Sequence, residues 1–364
     1  MSLRCGIVGL PNVGKSTLFN ALSSAGAESA NFPFCTIDPN VGMVAVPDSR
    51  LDTLADLVKP ASLVPATIEF VDIAGLVKGA SEGKGKGNAF LSHIREVDLI
   101  IHVVRCFEDD DIIHVEGGVD PERDIHIIDD ELILKDLESV EKRLGNLQKQ
   151  AKSGDKKIQK DVEIVDELRA HLESGKSVRT MTHTPEQKLV YRDLFLLTDK
   201  PVLFACNVSE SDIETGNAFT KVVESVAGEF GDEVVSFCAK IEEEISELDE
   251  GEKQLFLEEL GLKESGLDRL IQSAYKGLGL ITYFTAGPKE VRAWTITSGT
   301  KAPQAAGVIH TDFERGFIRA ETISYEDYVS FGSEKAAKEA GAMKQEGKEY
   351  VVNDGDVMLF RFNV

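Results

Sequence analysis

Between Arg4 and about His126, short apolar runs alternate with helical stretches, a pattern that predicts a mostly parallel sheet covered by helices. Candidate strands are Cys5–Val8, Ile68–Asp72 and Leu99–Val104, and the same character resumes at Val202–Cys206 and Val234–Cys238. The interruption, 128–198, has another period. Leu137, Val140, Leu144, Leu147 and Ala151 recur at spacings of three and four, as along a coiled-coil seam. After the polar break Lys152–Lys156 a second stripe follows at Ile158, Val162, Val165, Leu168 and Leu172, so the economical prediction is an inserted antiparallel helical hairpin. The acidic stretch Glu242–Glu259 predicts a solvated helical face. Beyond Gly279, the runs Val291–Ile296, Ala306–Ile309 and Val357–Phe362 read as short strands around one helix, Tyr325–Phe331. The expected domains are an α/β domain in two parts (1–127 and 199–278), the hairpin (128–198) and a small α+β domain (279–364).

A chain of 364 residues with 42% hydrophobic residues can bury more than one core. It contains no apolar run of the ~18 residues that a membrane-spanning helix needs, and its start lacks the features of an export signal, so a soluble chain without a membrane partner is expected. The cysteines Cys5, Cys35, Cys106, Cys206 and Cys238 form no C-x-x-C pair, and four lie in or beside apolar segments. That usage suits reduced core thiols and a cytoplasmic address. A monomer is expected. The net charge of −23 argues against a uniformly basic nucleic-acid binder. One segment reverses the sign: residues 142–160 carry Lys142, Arg143, Lys149, Lys152, Lys156, Lys157 and Lys160 against Asp155 alone, a local +6. This hairpin tip is either an RNA-facing surface or a solvated turn whose lysines keep it soluble.

The densest chemistry lies at Gly9-Leu-Pro-Asn-Val-Gly14-Lys15-Ser16, which matches G-x-x-x-x-G-K-[ST] between a predicted strand and a predicted helix. Backbone N–H groups of such a loop curl around phosphates, with Lys15 as a point charge on the β/γ oxygens and Ser16 as a Mg²⁺ ligand. Asn12, Val13, Gly14 and Thr17 complete the expected phosphate grip. Asp72 ends an apolar strand in Asp72-Ile-Ala-Gly75, where it would hold Mg²⁺ through water while Gly75 presents its N–H to the γ-phosphate. Thr36 lies where a switch threonine would complete the metal shell. Taken singly these are ordinary turn residues; their order behind the loop gives them weight.

The base is normally read as guanine by N-K-x-D, whose carboxylate accepts from N1–H and the exocyclic amine. Here the strand runs into Asn207-Val208-Ser209-Glu210. The lysine is replaced by Val208, and Glu210 is a methylene longer than aspartate. Adenine has an acceptor at N1 that repels a carboxylate, so Glu210 should turn aside and leave adenine to Asn207 and the Val208 backbone. Ser236-Phe-Cys-Ala-Lys240 could close the pocket. After Gly75 comes Leu76, where many regulatory GTPases carry the glutamine that orients the attacking water; slow intrinsic turnover follows unless another group supplies that step. His114 is the candidate, although a lone histidine is more often structural.

The sequences G-L-P-N-V-G-K-S, N-F-P-F-C-T-I-D-P-N, D-I-A-G-L-V and F-T-A-G-P-K-E-V-R-A-W, with the helical insertion, resemble the translation-factor-type GTPases and within them the Obg-like YchF group. The resemblance spans the chain. It implies a G domain, a coiled-coil domain and a C-terminal TGS domain, with ATPase activity linked to ribosomes and stress responses. It also raises His114, because a mobile histidine has been assigned the catalytic task in this group, and raises Asn12 as a seat for K⁺ at the phosphates. The expected function is a ribosome-associated regulatory ATPase that converts ATP to ADP and phosphate with Mg²⁺. The alternatives are a nucleotide-responsive binding module with negligible hydrolysis and a GTP-using switch. A phosphotransferase is disfavoured, as no arginine-rich lid is evident.

Overall fold

The computed structural model of the chain describes residues 3–28, 40–73 and 87–363. The first elements are β1 (Arg4–Val8), α1 (Lys15–Glu28), β2 (Val41–Ala45), α2 (Ser49–Val58), β3 (Leu63–Val64), β4 (Thr67–Asp72), α3 (Gly87–Arg95) and β5 (Leu99–Arg105). Then come α4 (Pro121–Ala151), α5 (Lys156–Glu173), α6 (Pro185–Tyr191), β6 (Val202–Asn207), α7 (Ala218–Phe230), β7 (Glu233–Phe237), α8 (Ala239–Ile245), α9 (Glu250–Glu259) and α10 (Gly266–Gly277). The last stretch holds β8 (Leu280–Ala286), β9 (Val291–Thr297), α11 (Ala302–Ile309), α12 (Thr311–Arg315), β10 (Phe317–Ile323), α13 (Tyr325–Phe331), α14 (Glu334–Glu339), β11 (Lys344–Glu346) and β12 (Val357–Phe362).

Two compact units result: residues 1–43 with 69–274, and residues 44–68 with 275–364. In the first, the sheet order is β2-β4-β1-β5-β6-β7, with β4, β1, β5, β6 and β7 mutually parallel where they pair. Every residue of β5 and β6 is buried, as expected of central strands covered on both faces. Cys5, Cys106, Cys206 and Cys238 are free thiols in the core; Cys35 lies outside the described residues.

The helical insertion grows from this unit. Val140, Leu144, Leu147, Val165, Leu168 and Leu172 bury one common core, with Leu137, Ile158 and Val162 against its edge. Each such side chain contributes about 1.5–3 kcal/mol on full burial, which supplies the stability that two isolated charged helices lack. The first helix starts at Pro121, earlier than 128, because Asp120 accepts from Arg123 N–H as its N-cap and Pro121 suits the first turn. Deeper along α4 the buried Asp136 accepts hydrogen bonds from Leu197 N–H, Thr198 N–H and Thr198 Oγ1–H, each at 2.8 Å. It fastens the hairpin's returning strand of chain to the middle of α4.

The second unit is a sheet of order β11-β10-β12-β8-β9-β3, with β8 and β9 antiparallel and β12 parallel to β8. Residues 44–68, placed by sequence pattern within 1–127, supply it with α2 and β3. Leu63 and Val64 pair in parallel with Val291 and Arg292, and Arg50 bridges Asp48 at 2.8 Å and Asp354 at 2.7 Å. Strand pairing so distant in sequence leaves no local signature. Two further expectations are corrected. Ala306–Ile309 is the end of the helix α11, whose Ala302, Ala305 and Ala306 are fully buried at helical spacing, a stripe too small in volume to register as apolar periodicity. The stretch 242–259 is two helices, α8 and α9, and Glu242 is not solvated: it is 1% exposed, with Oε1 accepting from Gly266 N–H at 2.7 Å.

Candidate nucleotide-binding site

The loop between β1 and α1 leaves the carboxyl edge of the parallel sheet, where ligands of such sheets sit. Its backbone is unusual at both glycines. Gly14 has φ +100°, and a Cβ there would lie 2.3 Å from Asn207 Nδ2; a Cβ on Gly9 would lie 2.5 Å from the Val103 carbonyl oxygen. No other residue fits either position. Asn12 is also left-handed, at φ +62°. The turned loop leads into α1 with Lys15 at its first position.

Lys15 is 8% exposed, and its Nζ donates to the Leu10 carbonyl at 2.5 Å. Burial lowers its pKa to about 8, partly opposed by the charge of Asp72. Asp72, half-buried at the end of β4, is raised by the same desolvation and held back by Lys15. The two thus face one small region in which cation and carboxylate are both short of solvent, an arrangement that an incoming phosphate and cation would relieve. Ser16 is exposed and Thr17 half-buried beside it, whereas the Val13 side chain, 1% exposed, belongs to the core. Only backbone groups of Val13 can serve a ligand. Thr36, Gly75 and Leu76 lie outside the described residues.

A cleft of about 420 Å³ adjoins the loop, lined by Asn12, Gly14, Thr17, Phe107, Asp109, Ile112, Asn207, Val208, Cys238, Ala239, Lys240 and Glu243. Asn207, 4% exposed, spends much of its amide on the protein: Nδ2 donates to Val13 O at 3.0 Å and Oδ1 accepts from Ala239 N–H at 3.1 Å. It ties the phosphate loop to the loop opening α8. The Val208 N–H donates to Phe237 O at 2.9 Å, so for a base only its carbonyl and side chain remain. Glu210 is exposed in a 3-10 turn and does not line the cleft. Phe107, Asp109, Ile112 and Glu243 went unnoticed in the sequence, although their positions just past β5 and β7 are where such sheets gather ligand contacts.

The loop after β5 folds around a cation. Arg105, 2% exposed, donates to the carbonyls of Phe107, Asp109 and Ile112 at 3.1, 3.1 and 2.8 Å and stacks its guanidinium on the Phe107 ring. Ile113 O then accepts from Asn12 Nδ2 at 3.1 Å. His114, 9% exposed, is fully engaged: Nδ1 accepts from Glu116 N–H at 3.1 Å, which places the ring hydrogen on Nε2, donating to Asp124 Oδ2 at 2.8 Å. Asp124 Oδ1 takes Arg123 Nη2–H at 2.8 Å.

Loop, sheet and cleft together define a P-loop nucleoside triphosphatase. A family profile described as "50S ribosome-binding GTPase" matches residues 4–153, and a C-terminal YchF GTPase profile, described as a protein of unknown function, matches residues 280–363. The chain is 59% identical to the "Ribosome-binding ATPase YchF" of Bacillus subtilis (strain 168) and 55% to that of Escherichia coli O157:H7, over the whole of both chains in each case. It is 48% identical to "Obg-like ATPase 1" of Pongo abelii, covering 100% of this chain and 93% of that protein. The solved "Structure of the Schizosaccharomyces pombe YchF GTPase" superposes with a TM-score of 0.89 at 43% identity, covering 99% of this chain and 98% of that one. The chain belongs to the YchF family of Obg-like P-loop proteins. Among the described residues no helix is long and apolar enough to cross a membrane.

Proposed function

We propose that this chain is a Mg²⁺-dependent ATPase that works on the ribosome as a nucleotide-governed switch. The observation that carries the ATPase assignment is the pairing of a rigid phosphate loop with a base cleft from which Glu210 is absent. Its relatives in Bacillus subtilis and Escherichia coli are named "Ribosome-binding ATPase", in agreement with this. The donor set fits Mg²⁺: the exposed hydroxyl of Ser16 would be a hard oxygen ligand and the carboxylate of Asp72 would hold the ion through water, with phosphate oxygens, further water and Thr36 in the remaining positions. Mg²⁺ would neutralise charge on the β and γ oxygens. Lys15 exchanges the Leu10 carbonyl for a phosphate oxygen, and Asn12 has an amide oxygen left for a K⁺ ion after its Nδ2 is committed to Ile113.

His114 is the candidate for orienting water, and its present bonds keep both ring nitrogens occupied, an observation that favours a very slow resting enzyme over a fast one. Single-turnover hydrolysis of labelled ATP tests the assignment. Lys15→Ala should abolish binding or turnover, and His114→Ala should lower turnover with ATP affinity nearly intact. A parental rate in the histidine variant would make that residue structural.

For the ribosome contact the candidate is the hairpin tip. Lys142, Lys149, Lys152, Lys156 and Lys157 are exposed, while Lys160 is engaged by Glu186 at 2.6 Å. Changing Lys152, Lys156 and Lys157 to Glu should weaken co-sedimentation with ribosomes and flatten its dependence on salt. Unchanged retention and slope would move the contact elsewhere.

A further inference from the structure

The hydrogen bonds around His114 form an unbroken path from the phosphate loop to the hairpin. Asn12, inside the loop and held at φ +62°, donates to Ile113 O at 3.1 Å. The next residue, His114, donates to Asp124 in the first turns of α4 at 2.8 Å, with both side chains 4% exposed. Arg123 closes the junction, donating to Asp124 Oδ1 at 2.8 Å and to Gly118 O at 2.6 Å. From there α4 runs as one helix of 31 residues to the tip, which at about 1.5 Å per residue is some 46 Å of rigid rod. Asp136 is fixed to Leu197 and Thr198 near the middle of that rod.

We propose that the His114–Asp124 pair is a latch that holds the loop after β5 in a resting position and couples occupancy of the nucleotide site to the hairpin. While the latch is closed, neither nitrogen of His114 is free to meet a water or a phosphate. Opening it requires that Asp124 move or that this part of the loop pull away; its neighbour Ile113 is tethered to Asn12 in the phosphate grip, while Arg105 holds the carbonyls of Phe107, Asp109 and Ile112. A nucleotide that reorders Asn12 thus acts on α4, and a partner that shifts α4 acts on the nucleotide site with the same coupling free energy. Asp124 here is a positioning residue that acts through His114.

The rate arm of the test rests on the ATPase proposal; the exchange arm does not. In single-turnover hydrolysis by the full chain without ribosomes, Asp124→Ala should raise the rate about fivefold or more, the lower end of ordinary allosteric couplings, and Asp124→Ala with His114→Ala should fall to the rate of His114→Ala alone. Amide hydrogen exchange of residues 118–130 should differ between the chain with ADP and the chain with AMP-PNP and Mg²⁺, and this difference should vanish in Asp124→Ala. Asp124→Asn, which keeps the shape and can still accept from Nε2, should behave more nearly as the parent; thermal melting of both variants monitors folding. A rate in Asp124→Ala that is unchanged or reduced, with a melting temperature near the parental one, overturns the latch. So does a nucleotide-dependent exchange difference that survives the substitution. If the parent itself fails to hydrolyse ATP, the ATPase proposal falls and the exchange experiment alone decides the coupling.

Discussion

The phosphate-binding and base-binding halves of the cleft are built by different means. The first is one contiguous run of the chain, Gly9–Ser16, in which two glycines are enforced by contacts of 2.5 and 2.3 Å that a side chain would create. The second is assembled from three loops, after β5, β6 and β7, and is held by side-chain bonds to backbone: Arg105 to three carbonyls and Asn207 to Val13 and Ala239. Backbone geometry dictated by a local run changes only at a large cost. A wall built of interloop bonds can be retuned one residue at a time.

Gly14→Ala should have the largest effect. The added methyl collides with Asn207 Nδ2 in a buried site, and φ +100° is strained for any other residue. A cost of about 3–5 kcal/mol, divided between folding and ATP affinity, is expected from strain and overpacking together. Calorimetric titration and thermal melting measure both; near-parental values in both would show that the loop relaxes easily and would dissolve the contrast. Asn207→Ala attacks the seam between the halves. It strands Val13 O and Ala239 N–H, each a buried group costing about 1–3 kcal/mol without a partner, so a stability loss of about 2–4 kcal/mol is expected in urea unfolding. Asn207→Asp should be no milder, since one carboxylate oxygen would then face the Val13 carbonyl.

The same division explains what could be read in advance. The phosphate loop was legible because motif, preceding strand and following helix are adjacent in sequence, and the hairpin because its apolar stripes repeat over many turns. Tyr325–Phe331 and Val357–Phe362 emerge with the boundaries their patterns gave. What escaped is non-local or low in contrast. Residues 44–68 join a sheet whose other strands begin more than 200 residues later, a pairing no window detects. Phe107 and Ile112 line the cleft from a loop whose carbonyls Arg105 gathers, a folding that no motif announces. Glu242 sat in an acidic run whose average hides a single buried carboxyl.

That carboxyl supplies a third prediction. Glu242 lies on α8, the helix that also brings Ala239, Lys240 and Glu243 to the base side. Burial pushes its pKa up to about 7 from 4.5, against the lowering effect of the Gly266 and Leu267 N–H groups, and Oε2 has no hydrogen-bond partner. A raised folded pKa means that the folded state holds the proton more tightly. The contribution is fully present below about pH 4.5 and is lost as pH rises through about 7. Glu242→Gln should therefore flatten stability against pH between those limits and leave the variant more stable than the parent at pH 8, by on the order of 1–3 kcal/mol. Parallel pH profiles for the two proteins would place the charge in water after all.

The smallest effect is the most telling about the base side: ATP should bind about tenfold or more tightly than GTP, a difference of about 1.4 kcal/mol. Guanine is held when a fixed carboxylate accepts from N1–H and the exocyclic amine together. Glu210, at the position corresponding to that carboxylate, is exposed and does not line the cleft, while Asn207 is committed to Val13 and Ala239. A guanine would then bury two donors with no acceptor built for them, whereas adenine presents fewer donors to satisfy. Two other carboxylates do line the cleft, Asp109 and Glu243, and either could take over the task. Asp109 is the less free, because its Oδ1 already accepts from Asp111 N–H at 2.9 Å. Titrating labelled ATP and GTP into the parent, Asp109→Asn and Glu243→Gln separates the cases. Preference for ATP, unchanged in both variants, supports a wall that selects by lacking a guanine acceptor; equal affinities in the parent that tip toward ATP only in Glu243→Gln would mean that Glu243 reads guanine and that the base half is as specifically built as the phosphate half.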